Sequence, residues 1–253
     1  MGDRGPAGAG ARLLRALCDF ILPPHCVVCE ASTSGESDPW VCAGCWVSVK
    51  FMRPPVCAQC GTPFQAPVEA IGAVNHRCGR CVTRPPHYER ARAVGLYEGT
   101  LREVIHAMKY RPVFGLVRPL AELLCGWFSV YWGHRVPDAL VPVPLHRLRL
   151  RRREFDQAQA LAGELGRQVG VPVWSDTLIR HVSTRSQIGL SAVERRRNIR
   201  GAFRVEPRRS CRGKSLLLID DVYTTGATAL ECARVLKRAG AARVDVYTVA
   251  RVG

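Results

Sequence analysis

The chain has 253 residues, 47% of them hydrophobic, enough for one sizeable core or for a small module beside one ordinary domain. Lys and Arg number 37 against 21 Asp and Glu, a formal charge of +16 that favours acidic partners such as nucleic acid, phosphorylated small molecules or anionic membrane, although a merely solvated basic surface fits equally well. Patterning argues against a secretion signal and a membrane span, since the apolar stretches are short or interrupted by charge.

Residues 1–24 read as a disordered tail followed by a short amphipathic helix. Leu13, Leu14, Leu17, Phe20 and Ile21 share its face, Arg15 and Asp19 interrupt it, and no small-residue cleavage site follows. Without an export signal, the twelve cysteines imply a reducing cytoplasm, where thiols serve as metal ligands rather than disulfides.

Residues 25–88 hold four C-x-x-C pairs: Cys26 and Cys29, Cys42 and Cys45, Cys57 and Cys60, Cys78 and Cys81. Each such turn aims two thiolates at one metal, and two turns complete a tetrahedral site, so four turns suit two structural zinc ions. A sequential pairing puts the first four cysteines on one ion and the last four on the other. An interleaved pairing also fits the spacing, and shorter loop closure favours the sequential one. Redox-active C-x-x-C motifs are disfavoured because no strand-turn-helix pattern surrounds each copy. His25, His76 and His87 flank a cysteine set that is already complete, and Cys18, Cys125, Cys211 and Cys232 read as small buried hydrophobes.

Pro85 and Pro86 make a rigid, extended end to this module, and composition shifts near residue 88 from Cys, Pro and Gly to alternating apolar segments. The expected second domain is residues 89–253. Lys109 lies near the end of a predicted helix and is given no catalytic role. Residues 116–132 read as a core helix because Arg118, Pro119 and Glu122 interrupt them, and Trp127, Phe128, Tyr131 and Trp132 at helical spacing read as packing rather than as a base-stacking platform. A strand with Val143 and Pro144 at its end, a basic loop with Arg147, Arg149 and Arg151, Arg152 and Arg153, and a helix follow. Residues 184–203 are polar, basic and poor in core periodicity.

From Ser215 an apolar run, a turn, an amphipathic helix ended by Gly240 and a second apolar strand make a βαβ unit of a parallel sheet. Ligands bind beyond the carboxyl ends of such strands. At that end Asp220 and Asp221 stand beside Thr224, Thr225, Gly226, Ala227 and Thr228, which open the helix. Backbone amides, threonine hydroxyls and the helix dipole suit a phosphate monoester, and the adjacent carboxylates suit hydroxyls or a metal. A phosphate cradle beside two hydroxyl-accepting carboxylates describes a 5-phosphoribosyl group.

The segment Leu216-Leu-Leu-Ile-Asp-Asp-Val-Tyr-Thr-Thr-Gly-Ala-Thr228 resembles the phosphoribosyl pyrophosphate (PRPP) motif of type I phosphoribosyltransferases. The resemblance implies that Asp220 and Asp221, the candidate catalytic pair, bind the ribose hydroxyls, that residues 224–228 wrap the 5′-phosphate, and that Mg²⁺ accompanies PRPP. Thr224 stands where purine-type members usually carry an Asp, which weakens a purine-salvage reading. Together with residues 97–110, 140–162, 184–203 and the paired cysteines, the motif resembles the ComF family over residues 12–253, proteins linked to DNA uptake and to use of external DNA. It departs from the family at Glu154-Phe155-Asp156-Gln157, where Gly-Phe-Asn-Gln is common.

The family resemblance implies an open parallel sheet with helices on both faces beside a double zinc module. It places Val143 and Pro144 in the pyrophosphate loop and makes residues 184–200 a mobile flap. Departing pyrophosphate needs cationic neutralisation, for which Arg195, Arg196 and Arg197 or the Arg151 cluster are candidates. The implied function is binding of PRPP·Mg²⁺ with transfer of the phosphoribosyl group. The alternatives are a non-catalytic accessory of the DNA-uptake machinery and a zinc protein that binds single-stranded DNA or RNA; the motif alone does not separate an enzyme from these.

Overall fold

A computed structural model describes residues 23–64, 75–111, 113–146, 150, 155–182, 191–206 and 210–253, with the side chains of Ala192 and Arg196 excepted. The N-terminal helix and the Arg147 to Arg153 cluster expected from sequence lie outside these residues, as do residues 184–190 of the flap. The chain divides into two compact units, Met1–Val49 and Lys50–Gly253. The second cysteine quartet thus packs within the larger unit.

The smaller unit has one short helix, α1 (Ala43–Val47). In the larger unit α2 (Gly79–Thr83) precedes strand β1 (Ala91–Leu96), helices α3 (Gly99–Tyr110) and α4 (Val117–Trp132), and strand β2 (Ala139–Pro142). Helix α5 (Gln157–Val169), strand β3 (Leu178–Arg180), helix α6 (Ala192–Ile199) and strand β4 (Phe203–Val205) follow. The chain ends in β5 (Ser215–Tyr223), α7 (Ala227–Arg238) and β6 (Arg243–Arg251).

Four strands form a wholly parallel sheet in the order β1-β6-β5-β2, and Val173 adds a parallel bridge beside Leu140 at its edge. β3 and β4 pair antiparallel apart from it. Strands covered on both faces need near-continuous apolar sequence, and Leu216, Leu217, Leu218 and Ile219 of β5 have no exposed surface. Alternation sends Leu216 and Leu218 to the face covered by Ala229, Cys232, Ala233 and Leu236 of α7, together with Phe203 and Tyr88. On the other face α4 packs against α5 and β6: Tyr247 donates to the Leu124 carbonyl at 2.7 Å and meets Tyr131 and Trp132 edge-on. Phe128 and Trp132 are buried, as their spacing predicts, whereas Trp127 and Tyr131 stack on each other half-buried.

This is the open parallel sheet expected from the βαβ pattern, with a cysteine-rich N-terminal module. Among the described residues no helix is long and apolar enough to cross a membrane.

Candidate functional site: a phosphate loop braced by a cysteine quartet

The described cysteines fall into two quartets, Cys26, Cys29, Cys42 and Cys45, and Cys57, Cys60, Cys78 and Cys81, each with its sulfurs within 4.8 Å of one another. The pairing is therefore sequential. The quartets repeat one local design. In each, the residue after the second cysteine has positive φ, Glu30 at 62° and Gly61 at 71°, and donates its amide to the carbonyl of the first cysteine at 2.9 Å. An antiparallel bridge flanks each turn, His25 to Ser32 and Val56 to Pro63. The third cysteine caps a short helix and donates its amide to the first cysteine's sulfur, Cys42 to Cys26 at 3.4 Å and Cys78 to Cys57 at 3.3 Å.

The donor set fits zinc. Four bonds of about 2.3 Å in a tetrahedron separate the sulfurs by about 3.8 Å, and Cys29 to Cys42 and Cys60 to Cys78 both measure 3.7 Å. The thiol hydrogen bond with Cys60 is the main cause holding Cys57 down to about 3, whereas burial pushes Cys81 up to about 11. A divalent cation is what lets four thiolates coexist at such distances. Metal analysis of purified protein is expected to return close to two zinc equivalents per chain; a folded protein with none would exclude the structural role.

At the carboxyl end of β5 the two carboxylates diverge. Asp221 points toward α3, where its Oδ1 lies 2.8 Å from Lys109 Nζ, with only 12% and 15% of the two side chains accessible. Burial opposes the lysine's charge, but Asp221, helped by Asp220, outweighs it and holds the ammonium above its ordinary value. Asp220 accepts the Asp221 amide at 2.9 Å, and burial, followed by the neighbouring Asp221 charge, pushes its carboxyl up to about 8. The site thus pairs one ion-paired carboxylate with one that holds its proton more tightly than an ordinary carboxyl does.

The loop turns at Gly226, whose φ is 75°. A Cβ there would stand 2.1 Å from the Tyr223 hydroxyl, so both conformation and space require glycine. Tyr223 shares a 2.6 Å hydroxyl contact with Tyr88, and its ring lies 4.9 Å beneath the Arg251 guanidinium. The N-cap of α7 is Gly226, which has no side chain to offer the amides of the first turn. Thr225 Oγ1 accepts the Ala227 amide at 3.4 Å, and Asp220, Thr224, Gly226 and Thr228 line one small hollow. Val143 donates its amide to the Ile219 carbonyl at 2.9 Å, carrying Val143 and Pro144 past the end of β2 to lie alongside Asp220. Asp156 then ties this loop to α5, accepting from Leu145 at 2.9 Å and, as helix cap, from Gln159 at 3.2 Å.

The second quartet braces the loop from behind. Arg80, inside the C-x-x-C turn of Cys78 and Cys81, donates to the Thr225 carbonyl at 2.7 Å. Arg251 donates to the Cys60 carbonyl at 2.5 Å and to Thr62 at 2.7 Å, and Ala91 donates to Gln59 at 2.7 Å. Sequence reading gave Lys109 no catalytic role and did not single out Arg80. Both act across long sequence separations, and no local pattern marks them. The start of α6 did carry a legible mark, since Ser191 and Glu194 form a reciprocal capping box.

Fold and site define a protein of the phosphoribosyltransferase fold that carries two zinc ribbons. The double zinc ribbon domain family matches residues 17–82, and the phosphoribosyl transferase domain family matches residues 157–253. The chain belongs to the ComF family. It is 35% identical to the DNA utilization protein YhgH of Salmonella typhimurium over 91% of this chain and 98% of that one. Competence protein F of Haemophilus influenzae is 31% identical over 83% and 90% of the two chains, and Competence protein ComFC of Bacillus subtilis 30% identical over 97% and 98%.

Proposed function

We propose that this protein binds PRPP with Mg²⁺ at residues 220–228 and transfers its phosphoribosyl group in the service of DNA utilisation. The observation that carries this reading is the placement of two adjacent carboxyls, one ion-paired to Lys109, beside a glycine-turned loop at the start of α7. The α7 amides and Thr225 and Thr228 hydroxyls would hold the 5′-phosphate, and Asp220 and Asp221 the ribose hydroxyls. Val143 and Pro144 would present backbone to the pyrophosphate, and Mg²⁺ would neutralise part of its charge. In transfer, the bond from C1 to the pyrophosphate oxygen breaks with its electron pair leaving on pyrophosphate. A nucleophilic atom of the acceptor bonds to C1 and gives up its proton. The relatives' names support the link to DNA, and the cysteine content supports a reducing cytoplasm.

Calorimetric titration with PRPP and Mg²⁺ tests the site. Asp220→Asn and Asp221→Asn are each expected to weaken binding roughly ten- to a hundredfold, because a charge-assisted hydrogen bond is worth about 1.5 to 3 kcal/mol. Unchanged affinity in both variants overturns the ribose assignment.

The raised Asp220 carboxyl sets the pH dependence. Ribose hydroxyls donate to the charged form, so binding expels the proton that Asp220 holds below about 8. Affinity is expected to rise as pH increases from 6.5 toward 8 and to level off above it. Titrations in buffers of different ionisation enthalpy would show proton release, and Asp220→Asn would abolish that component, separating it from titration of PRPP itself. A wild-type release identical to that of the variant would exclude a charged Asp220 in the complex.

A further inference from the structure

A basic recess of the larger unit lies beside the ribose loop, on the side of α6. A cavity of about 530 Å³ opens between residues 80–88, α6 and α7. Its floor is apolar, built from Pro85, Pro86, Ile199 and Leu230. Arg84, Arg197 and Arg200 also line it, and none of them forms an ion pair among the described residues. The one carboxylate present, Glu231, is already engaged: it accepts from the Gly201 amide at 2.7 Å and from the Arg234 guanidinium at 2.6 and 2.9 Å. A second hollow of about 610 Å³ shares His87, Arg200 and Arg234 with the first and adds Lys237 and Arg238.

This volume is that of a small-molecule site, and its chemistry is amphiphilic. Guanidinium forks match phosphate oxygens, and an apolar floor excludes the water that would screen them. A compact inorganic anion would leave that floor uncovered, and an uncharged aromatic would leave the arginines unanswered. A planar ring joined to a phosphate satisfies both.

We propose that this cleft is a nucleotide-binding site distinct from the ribose loop, with phosphate on Arg84, Arg197 and Arg200 and the base against Pro85, Pro86, Ile199 and Leu230. The nucleotide comes either as a free mononucleotide or as one unit of a single strand, whose next phosphate would reach Lys237 and Arg238. The cleft also abuts the phosphate loop, since Tyr223 and Ala227 line it and Arg80 links its wall to Thr225.

Titrating the full-length, zinc-loaded protein with deoxyadenosine monophosphate, inorganic phosphate and a short oligothymidylate tests this. The expected result is one mononucleotide per chain, weakened at least about tenfold by the Arg84→Ala, Arg200→Ala double change, with the melting temperature kept. Leu230→Asp, which puts a carboxylate on the floor, should weaken nucleotide binding more than phosphate binding. Asp220→Asn should leave nucleotide binding intact, which separates failure of this site from failure of the PRPP reading. Oligonucleotide binding alone, lost in the double variant and falling steeply with salt, assigns the source to a strand. Phosphate binding as tightly as the nucleotide, no binding of either nucleotide form, or binding unchanged in the double variant overturns the proposal.

Discussion

Cys60→Ser should unfold far more of this protein than Cys29→Ser. Both changes remove one thiolate from a four-cysteine site, and structural zinc contributes on the order of 10 kcal/mol of folding free energy at such sites. That is comparable with the whole stability of an ordinary domain. The difference lies in where each quartet sits. Cys29 is exposed in the smaller unit, whereas Cys57, Cys60 and Cys81 are buried in the same apolar cluster as Leu216, Leu218 and Leu236 of the sheet and α7. Gly61 approaches β1 so closely that a Cβ would meet the Ala91 carbonyl at 2.6 Å. Loss of the second metal therefore removes the surface against which β1, β6 and the phosphate loop are held. Thermal melting followed by circular dichroism is expected to show Cys29→Ser with a nearly unchanged main transition, and Cys60→Ser with a transition lowered by tens of degrees or absent. Hydrogen exchange resolves the same contrast by segment, with amides of residues 215–223 losing protection only in Cys60→Ser. Equal main transitions in the two variants would show that the second ribbon is not part of the larger core.

The elements legible from sequence were those whose cause is local. An unbroken apolar run fixed β5, a 3.6-residue period ended by Gly240 fixed α7, and C-x-x-C spacing fixed eight ligands, because each pattern answers to the geometry of one element. The loop between them was legible for the same reason: Gly226 is forced by its own φ and by Tyr223 three residues earlier. What stayed hidden depends on tertiary approach. Lys109 looks like any lysine in the last turn of a helix, where it favours the dipole, until α3 is laid against the end of β5. Arg80 looks like a solvated charge in a knuckle turn until Thr225 is brought to it. Spacing likewise left the metal pairing open, since sequential and interleaved sites use the same turns and differ only in which turns meet.

Lys109 carries the second large effect. Asp221 and Lys109 form a largely buried pair beside Asp220, whose carboxyl is pushed upward by burial and by the Asp221 charge. Removing one partner of such a pair leaves the other charge buried and alone, a loss of about 3 to 5 kcal/mol when burial is complete. Since 15% of the lysine side chain remains accessible, the lower end applies, and Lys109→Met is expected to destabilise the protein by about 3 kcal/mol. The pH sign follows from the lysine. Its folded value lies above its ordinary one, so the pair's contribution is fully present below about 10.4 and is lost only as pH rises beyond it. Denaturant titrations should therefore show a wild-type advantage over Lys109→Met that persists from pH 7 to pH 9. A double-mutant cycle with Asp221→Asn separates the pair from packing, because the double variant should lose less than the sum of the single losses. Binding should follow the same logic: without Lys109, bringing two charged carboxylates to one ribose costs more, so PRPP affinity falls although methionine fills a similar volume. Strict additivity in the cycle, or wild-type PRPP affinity in Lys109→Met, would reduce the lysine to a packing residue.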